Sequence, residues 1–308
     1  MLATVCTGAK PLEPMTTSPS CSSTPVELAF PTPDFDFSKV DPVRWNGGSA
    51  PRSHFWNTMS SLLPNIEFCA IRSLTPLAGR IDDPKLQREV RQFCEQEAQH
   101  GTAHSRYNAE RLHPAYPALA RIEAWERDLF TVFARRLPRS VFLALFVAVE
   151  HWTAAFSQYG LETPDAWFGQ CDPVMFELWE WHAVEELAHK AVCYDVFVCL
   201  GGRYGAQVAG MGLLLGAIML PGIAMRMACL FWYDGMLFKA RAHLQLLACL
   251  LGRRGVLTRT ARSFAHYFHP RYRPWDVDSL PLIRAWQART GADPGLNAGT
   301  SRSPACGY

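Results

Sequence analysis

The sequence predicts an all-α protein: a ferritin-like four-helix bundle with additional C-terminal helices. Three observations predict it. From His54 onward apolar residues recur at helical spacing, and no alternation of Val, Ile and Thr suggests a sheet. Proline and aspartate interrupt these stretches where helices would start or stop. Glutamate and histidine then fall on successive predicted helices in the order single Glu, Glu-x-x-His, single Glu, Glu-x-x-His, the pattern of a dinuclear metal site inside a helical bundle.

Residues 1–50 are rich in Pro, Ser and Thr and read as a disordered tail, in which Phe30, Phe35 and Phe37 could still pin part of the chain to the folded body. Helices are expected at 54–62 and 65–78, separated by Pro64, and then at 83–112, 117–136, 138–159 and 173–200. Asp82-Asp83-Pro84, His113-Pro114, Pro138, Pro164 and Asp172-Pro173 suit their edges. Residues 51–200 thus form the metal-binding bundle. Further helices at 203–233, 235–252, 255–268 and 278–289 make a region, 201–290, packed on the bundle. The stretch 291–308 returns to Gly, Pro, Ser and Thr and reads as a C-terminal tail.

At 308 residues, 49% hydrophobic and 19% charged, the chain can bury one substantial core. A net charge of +2 with scattered basic residues gives no case for nucleic acid. The ten cysteines form no CxxC pair, and those in apolar helical stretches (Cys69, Cys94, Cys193, Cys199, Cys229 and Cys249) read as reduced core residues. Residues 1–25 lack the apolar run of a secretory signal, so a cytoplasmic location is expected.

The pattern residues are Glu67, Glu97 with His100, Glu150, and Glu186 with His189. An i, i+3 pair projects from one helix face, so each Glu-x-x-His can address the same point. Carboxylates favour hard, oxygen-loving ions and imidazole adds a neutral donor, a mixture that suits iron or manganese. Glu150 ends the apolar run 141–149, where an uncompensated carboxylate would be costly. His182, four residues before Glu186, extends the stripe as a seventh metal ligand. His104, four after His100, is expected to support a ligand from behind. Glu185 also has helical spacing to His189, which leaves the choice between it and Glu186 as the main ambiguity; Glu186 lies nearer the stripe's centre.

These residues carry a resemblance. Pro64-Asn-Ile-Glu67, Phe93-Cys-Glu-Gln-Glu97-Ala-Gln-His100-Gly-Thr-Ala-His104 with Asn108, Glu150-His-Trp-Thr153, and Trp181-His-Ala-Val-Glu-Glu-Leu-Ala-His-Lys190 with Asp195 resemble the predicted metal-dependent hydrolase family of bacterial proteins, over roughly residues 54–270. The His-x-x-x-Glu-x-x-His arrangement is also similar to that of di-iron arylamine N-oxygenases. The resemblance implies that Glu67, Glu97, His100, Glu150, His182, Glu186 and His189 all bind metal. Asn108, Glu185, Lys190 and Asp195 join His104 as expected supporting residues. The family usually has Gly just before its first Glu, where this chain has Ile66.

Two reaction classes suit such a site. The first expectation is a dinuclear non-haem iron oxygenase or oxidase acting on a small, apolar organic substrate, with two iron ions (manganese or zinc as alternatives) and an electron donor as partner. A site laid across a helical bundle, rather than on loops at sheet ends, favours it. The alternative is a metal-dependent hydrolase, and the third reading is a metal-binding protein without turnover. Tyr107 and Tyr159 are candidate electron relays, although aromatic residues on helices usually serve packing.

The stretch 208–225 has no charge and reaches the lower limit for spanning a bilayer. Arg203 and Arg226 flank it, and Trp232 and Tyr233 follow. Pro221-Gly222 interrupts it. The choices are a buried helix capping the bundle, a membrane-dipping helical hairpin and one true span, which the basic Arg253-Arg254 and Arg259-Arg262 clusters make less attractive; membrane association, with surface contact through 208–225, is the expectation.

Overall fold

The computed structural model describes residues 21–168 and 170–292; the expected tails over 1–20 and 293–308 lie outside the described residues. The helices are α1 (Ala50–Leu74), α2 (Pro84–Tyr107), the one-turn α3 (His113–Ala115), α4 (Ala118–Arg136), α5 (Arg139–Glu162), the short α6 (Pro164–Phe168), α7 (Pro173–His189), α8 (Val192–Cys199), α9 (Tyr204–Leu213), α10 (Leu220–Tyr233), α11 (Ala240–Leu251), α12 (Val256–Tyr267) and α13 (Leu280–Thr290). Among the described residues the one extended pairing is a bridge between Asn46 and Cys171. The fold is all-α.

Helices α1, α2, α5 and α7 form the core: α1 packs on α2, α2 on α7, α7 on α5 and α5 on α1. Caps set two of their starts. Asp83 accepts from the Lys85 N–H ahead of α2, and Asp172 accepts from the Val174 and Met175 N–H groups ahead of α7, each with Pro at the first helical position. The α3–α4 segment crosses from α2 to α5, with α4 lying on α1. Helix α5 is covered by α7, α8, α9 and α12. Its apolar run is therefore buried all round, which is why it has no polar outer face.

Three expectations need correction. Pro64 does not divide the first helix, because α1 runs through it. A proline in mid-helix leaves the carbonyl four residues back without its N–H partner. Here that carbonyl, Ser60 O, accepts from Asn108 Nδ2 at 2.8 Å instead. The helix expected at 173–200 breaks at Lys190–Ala191, between α7 and α8. The helix expected at 83–112 ends in a π-helical turn at Asn108–Leu112.

The disordered tail expected over 1–50 does not describe 21–49, which lie as a strap across the bundle. Leu28, Phe35, Phe37, Val40 and Trp45 are buried there. Phe37 meets Tyr107 edge-on at 5.4 Å, and Trp45 Nε1 donates to Asn57 Oδ1 at 2.9 Å. Each such buried side chain contributes about 1.5–3 kcal/mol, enough to hold a segment that forms almost no regular structure of its own. Ser23 ties the strap to α8: its N–H and Oγ donate to the Asp195 carboxylate at 2.7 and 2.9 Å.

Two measurements check this packing. Gly210 lets α9 settle on α5, since a Cβ there would run into the Ala144 carbonyl, whereas one at Gly212 would meet nothing. Gly210→Ala is expected to cost about 1–3 kcal/mol in thermal or denaturant unfolding, with Gly212→Ala neutral or slightly stabilising. Burial lifts the Asp195 carboxyl from 3.8 to about 6, against the lowering effect of the Ser23 hydrogen bonds. Between those values the folded chain keeps a proton that the unfolded chain has released, so this carboxyl's contribution to stability falls as pH rises. Asp195→Asn removes that loss. Compared by denaturant midpoints, the variant should gain on the native chain by up to about 3 kcal/mol as pH rises from about 4 to about 6, and the gap should then stay constant.

Candidate metal centre

Each core helix brings carboxylates or imidazoles to one buried point. Helix α1 supplies Glu67, α2 supplies Glu97 and His100, α5 supplies Glu150, and α7 supplies His182, Glu186 and His189. None of the seven is more than 3% exposed. Three overlapping groups have donor atoms within 4.8 Å of one another: Glu67, His100 and His182; Glu97, Glu150 and His189; and Glu97, His100 and Glu186. His189 Nε2 lies 3.1 Å from Glu97 Oε1, 3.4 Å from Glu150 Oε2 and 3.5 Å from Glu186 Oε2. His182 Nε2 lies 3.0 Å from Glu186 Oε1 and 3.9 Å from Glu67 Oε1. Glu186 therefore stands between two halves of the site, one oxygen toward each.

The electrostatics call for a cation. Both Glu67 oxygens, Glu97 Oε1, Glu150 Oε2, His189 Nε2 and both His100 nitrogens are buried without a hydrogen bond, and each such atom costs about 1–3 kcal/mol unless something satisfies it. Burial, then the neighbouring carboxylates, drive the Glu67 and Glu150 carboxyls well above their ordinary range. Burial resists charge on His189, but the surrounding Glu186, Glu97 and Glu150 carboxylates outweigh it and hold that imidazole well above its usual value. Burial raises Glu186 too, yet His182 and His189 bring it well below the usual carboxylate range. A donor set of this composition, gathered and left unsatisfied, fits bound metal.

A second layer aims the donors. Asn108 Nδ2 is pinned by the Ser60 carbonyl, which turns its Oδ1 to accept from Ser60 Oγ at 2.8 Å. Ser60 Oγ must then accept from His104 Nδ1 at 2.9 Å, and His104, kept neutral by burial, can only accept at Nε2. That nitrogen lies 2.9 Å from His182 Nδ1, so His182 donates to it from Nδ1 and turns its Nε2 toward the Glu186 carboxylate, 3.0 Å away. His189 Nδ1 similarly faces Gln96 Oε1 at 3.0 Å. Behind His100, Glu185 Oε2 lies 3.0 Å from Nε2 while Glu185 Oε1 accepts from Trp181 Nε1 at 2.8 Å. Burial pushes the Glu185 carboxyl up to about 8.

The structure thus gathers all seven expected ligands and sets His104, Asn108 and Glu185 directly behind them. The adjacent glutamates differ in direction: Glu186 faces the cluster and Glu185 backs His100. Lys190 and Asp195 are not there. Lys190, one residue beyond His189, leaves the helix line where α7 ends; its Nζ donates to Val277 O and Ser279 Oγ and lies 4.1 Å from the Trp275 ring centre. Asp195 holds the strap through Ser23. The hydroxyls of Tyr107 and Tyr159 donate to Asn57 Oδ1 and Arg254 O, away from the cluster. Sequence reasoning assigned no role to Ser60, Gln96 or Thr153, whose Oγ1 donates to Glu186 Oε2. Only Thr153 carried a signal, its i+3 spacing from Glu150 on one helix face.

A cavity of about 80 Å³ opens beside the cluster. Trp56, Trp152, Phe156 and Trp179 form much of its wall, and His182 and Thr153 lie at its inner end, toward the metal-binding groups.

Fold and site together define an all-α protein with a buried carboxylate–histidine centre suited to metal. The family model described as predicted metal-dependent hydrolase matches residues 32–278, and the chain belongs to that family. No curated protein and no solved structure matches it.

The hydrogen-bond chain behind His182 is testable by itself. His104→Ala removes the acceptor that places the proton on Nδ1. Metal titration of the folded variant should show affinity down by about 10–100-fold, with circular dichroism unchanged.

Proposed function

We propose that this protein is a metal-dependent hydrolase that holds two divalent ions in its bundle core and acts on a small, apolar substrate bound in the aromatic cavity. One observation carries the reading: buried, unsatisfied carboxylate and imidazole atoms from four helices converge on one point. Family membership supports the reaction class. Glu67, Glu97, Glu150 and Glu186 would bring four negative charges into the core, and two divalent ions would balance them. Bound there, such ions polarise a substrate carbonyl or phosphoryl oxygen and lower the pKa of water.

The chain's own residues do the rest. Glu186 reaches both halves of the site, and Thr153 Oγ1 fixes one of its oxygens. The Asn108–Ser60–His104 chain holds a His182 proton on Nδ1, away from the centre, and orients the ring so that Nε2 would face a bound ion. Trp56, Trp152 and Trp179 seat the apolar part of the substrate and limit the water that enters with it.

A specific observation favours a second, oxidative reading with iron and an external electron donor. Every donor sits inside the bundle, and the adjoining cavity wall is largely aromatic. Such a dry setting protects reactive oxygen chemistry, whereas a hydrolase must admit water as a co-substrate.

Metal analysis of purified protein, paired with assays on apolar aryl esters and of dioxygen uptake, separates the two. Zinc or manganese at about two per chain, with ester hydrolysis that disappears together with metal in Glu150→Ala, is the expected result. Iron with substrate-dependent dioxygen uptake and no hydrolysis replaces it with the second reading. A folded chain that takes up none of these metals overturns both.

A further inference from the structure

The segment from Arg203 to Arg273 differs from the rest of the chain in two ways at once. It holds ten Lys and Arg but a single acidic residue, Asp234, leaving 20 basic against 27 acidic residues elsewhere. Asp234 is already occupied by His54 Nε2 at 2.7 Å and the Tyr116 hydroxyl at 3.2 Å. Of the basic residues only Arg226 is buried, paired with Glu126 at 2.7 Å. The other nine are exposed, and none has an acid within ion-pair distance among the described residues.

The same segment carries ten of the chain's fifteen exposed large apolar side chains among the described residues. Phe238 is 87% exposed, Trp232 and Leu244 65% each, and Leu251 57%. These four belong to a hairpin. Helix α10 ends at Tyr233, the chain turns through Gly235 at φ 61°, and α11 returns with Ala242 and Leu246 against Met227 and Phe231. The line continues backward through a π-helical turn into α9, and every fourth residue from Gly212 to Trp232 on this outer line is exposed and uncharged. Only 33% of the most apolar stretch of Tyr204–Tyr233 is buried, against 83% for the core helix α5.

We infer that the α10–α11 hairpin docks the protein on the surface of an anionic lipid bilayer, with Trp232, Phe238, Leu244 and Leu251 entering the boundary between headgroups and acyl chains. Lys239, Arg241, Arg253 and Arg254 flank these residues in sequence and contact lipid phosphates. Apolar side chains rimmed by unpaired cations are what such an interface requires, and the charge asymmetry selects an anionic surface. The hairpin lies on the bilayer and does not cross it. Helix α4, which packs beside α10, exposes Arg127, Asp128, Arg135 and Arg136, and a span would carry those charges into hydrocarbon. Docking also brings lipid near the cavity. A groove lined by Arg52, Arg253 and Arg254 shares Trp56 with the cavity beside the metal-binding groups.

The test is sedimentation of the full chain with phosphatidylcholine vesicles, with and without phosphatidylglycerol. Binding is expected to the anionic vesicles and to weaken with salt, with a blue shift of tryptophan emission. Trp232→Ser with Phe238→Ser should weaken it by roughly tenfold or more, and so should Arg253→Glu with Arg254→Glu. Val132→Ser, which alters an exposed apolar residue on α4, should leave it unchanged. Melting curves confirm that each variant is folded. Failure to sediment with anionic vesicles at low salt overturns the inference. So does binding that the Trp232/Phe238 pair does not affect, which would mark a charge-only polyanion site. A dimer by light scattering that dissociates in that pair, without vesicle binding, assigns the face to a second copy of the chain instead.

Discussion

The burial of four glutamates at one point is the constraint on which the rest of this structure depends. Glu67, Glu97, Glu150 and Glu186 are each no more than 3% exposed, in a core built largely from aliphatic and aromatic side chains. Four mutually repelling carboxylates cannot all ionise there without compensation, and the three imidazoles among them offer at most partial relief. The helices that carry them cannot rotate or slide independently, because any shift separates a carboxylate from the imidazole that faces it. The outer helices belong to the same problem. By wrapping α5 on all sides, α7, α8, α9 and α12 exclude water from the one core helix whose carboxylate ends a long apolar run.

Orientation of the site is set partly by a defect in α1. Pro64 deprives Ser60 of its helical hydrogen bond, and the freed carbonyl captures the Asn108 amide. That capture settles which end of the amide faces the Ser60 hydroxyl, and the choice passes through His104 to His182. An unbroken helix would have no free carbonyl to read, and the amide could turn either way. The proline therefore acts at the site without touching it, and the π-helical turn that starts at Asn108 places the amide within reach.

The gathering of these side chains is legible in the sequence because helical spacing alone puts Glu97 with His100, and His182 with Glu186 and His189, on single faces. The choice of Glu186 over Glu185 rested on the same geometry. Lys190 illustrates the limit of that reasoning. Its proximity to His189 in sequence says nothing about direction once the helix ends, and α7 ends there. Pro64 was read as a boundary because propensity weighs the lost hydrogen bond, whereas its replacement comes from a residue 44 positions away. The strap is legible only as phenylalanines that could pin part of a tail, for a related reason. Its composition denies it regular structure, but Phe35, Phe37 and Trp45 bind it to pockets formed by helices that composition cannot see.

The aromatic cavity and the buried centre press on the chemistry from opposite sides. Trp56, Trp152, Phe156 and Trp179 provide apolar surface and few hydrogen-bonding groups, so under the proposed function they would select a substrate by shape and hydrophobicity and leave its reacting polar group to the far end. That end is His182 with Thr153, the latter bonded to the carboxylate that reaches both halves of the site. A substrate seated this way would present its polar group to the donors and its apolar part to the tryptophans, and it would displace water as it entered. Water for the proposed hydrolysis would then have to be held already at the metal-binding groups. The unsatisfied atoms of Glu67, Glu97, Glu150 and His189 are where a hydrated cation would bring it.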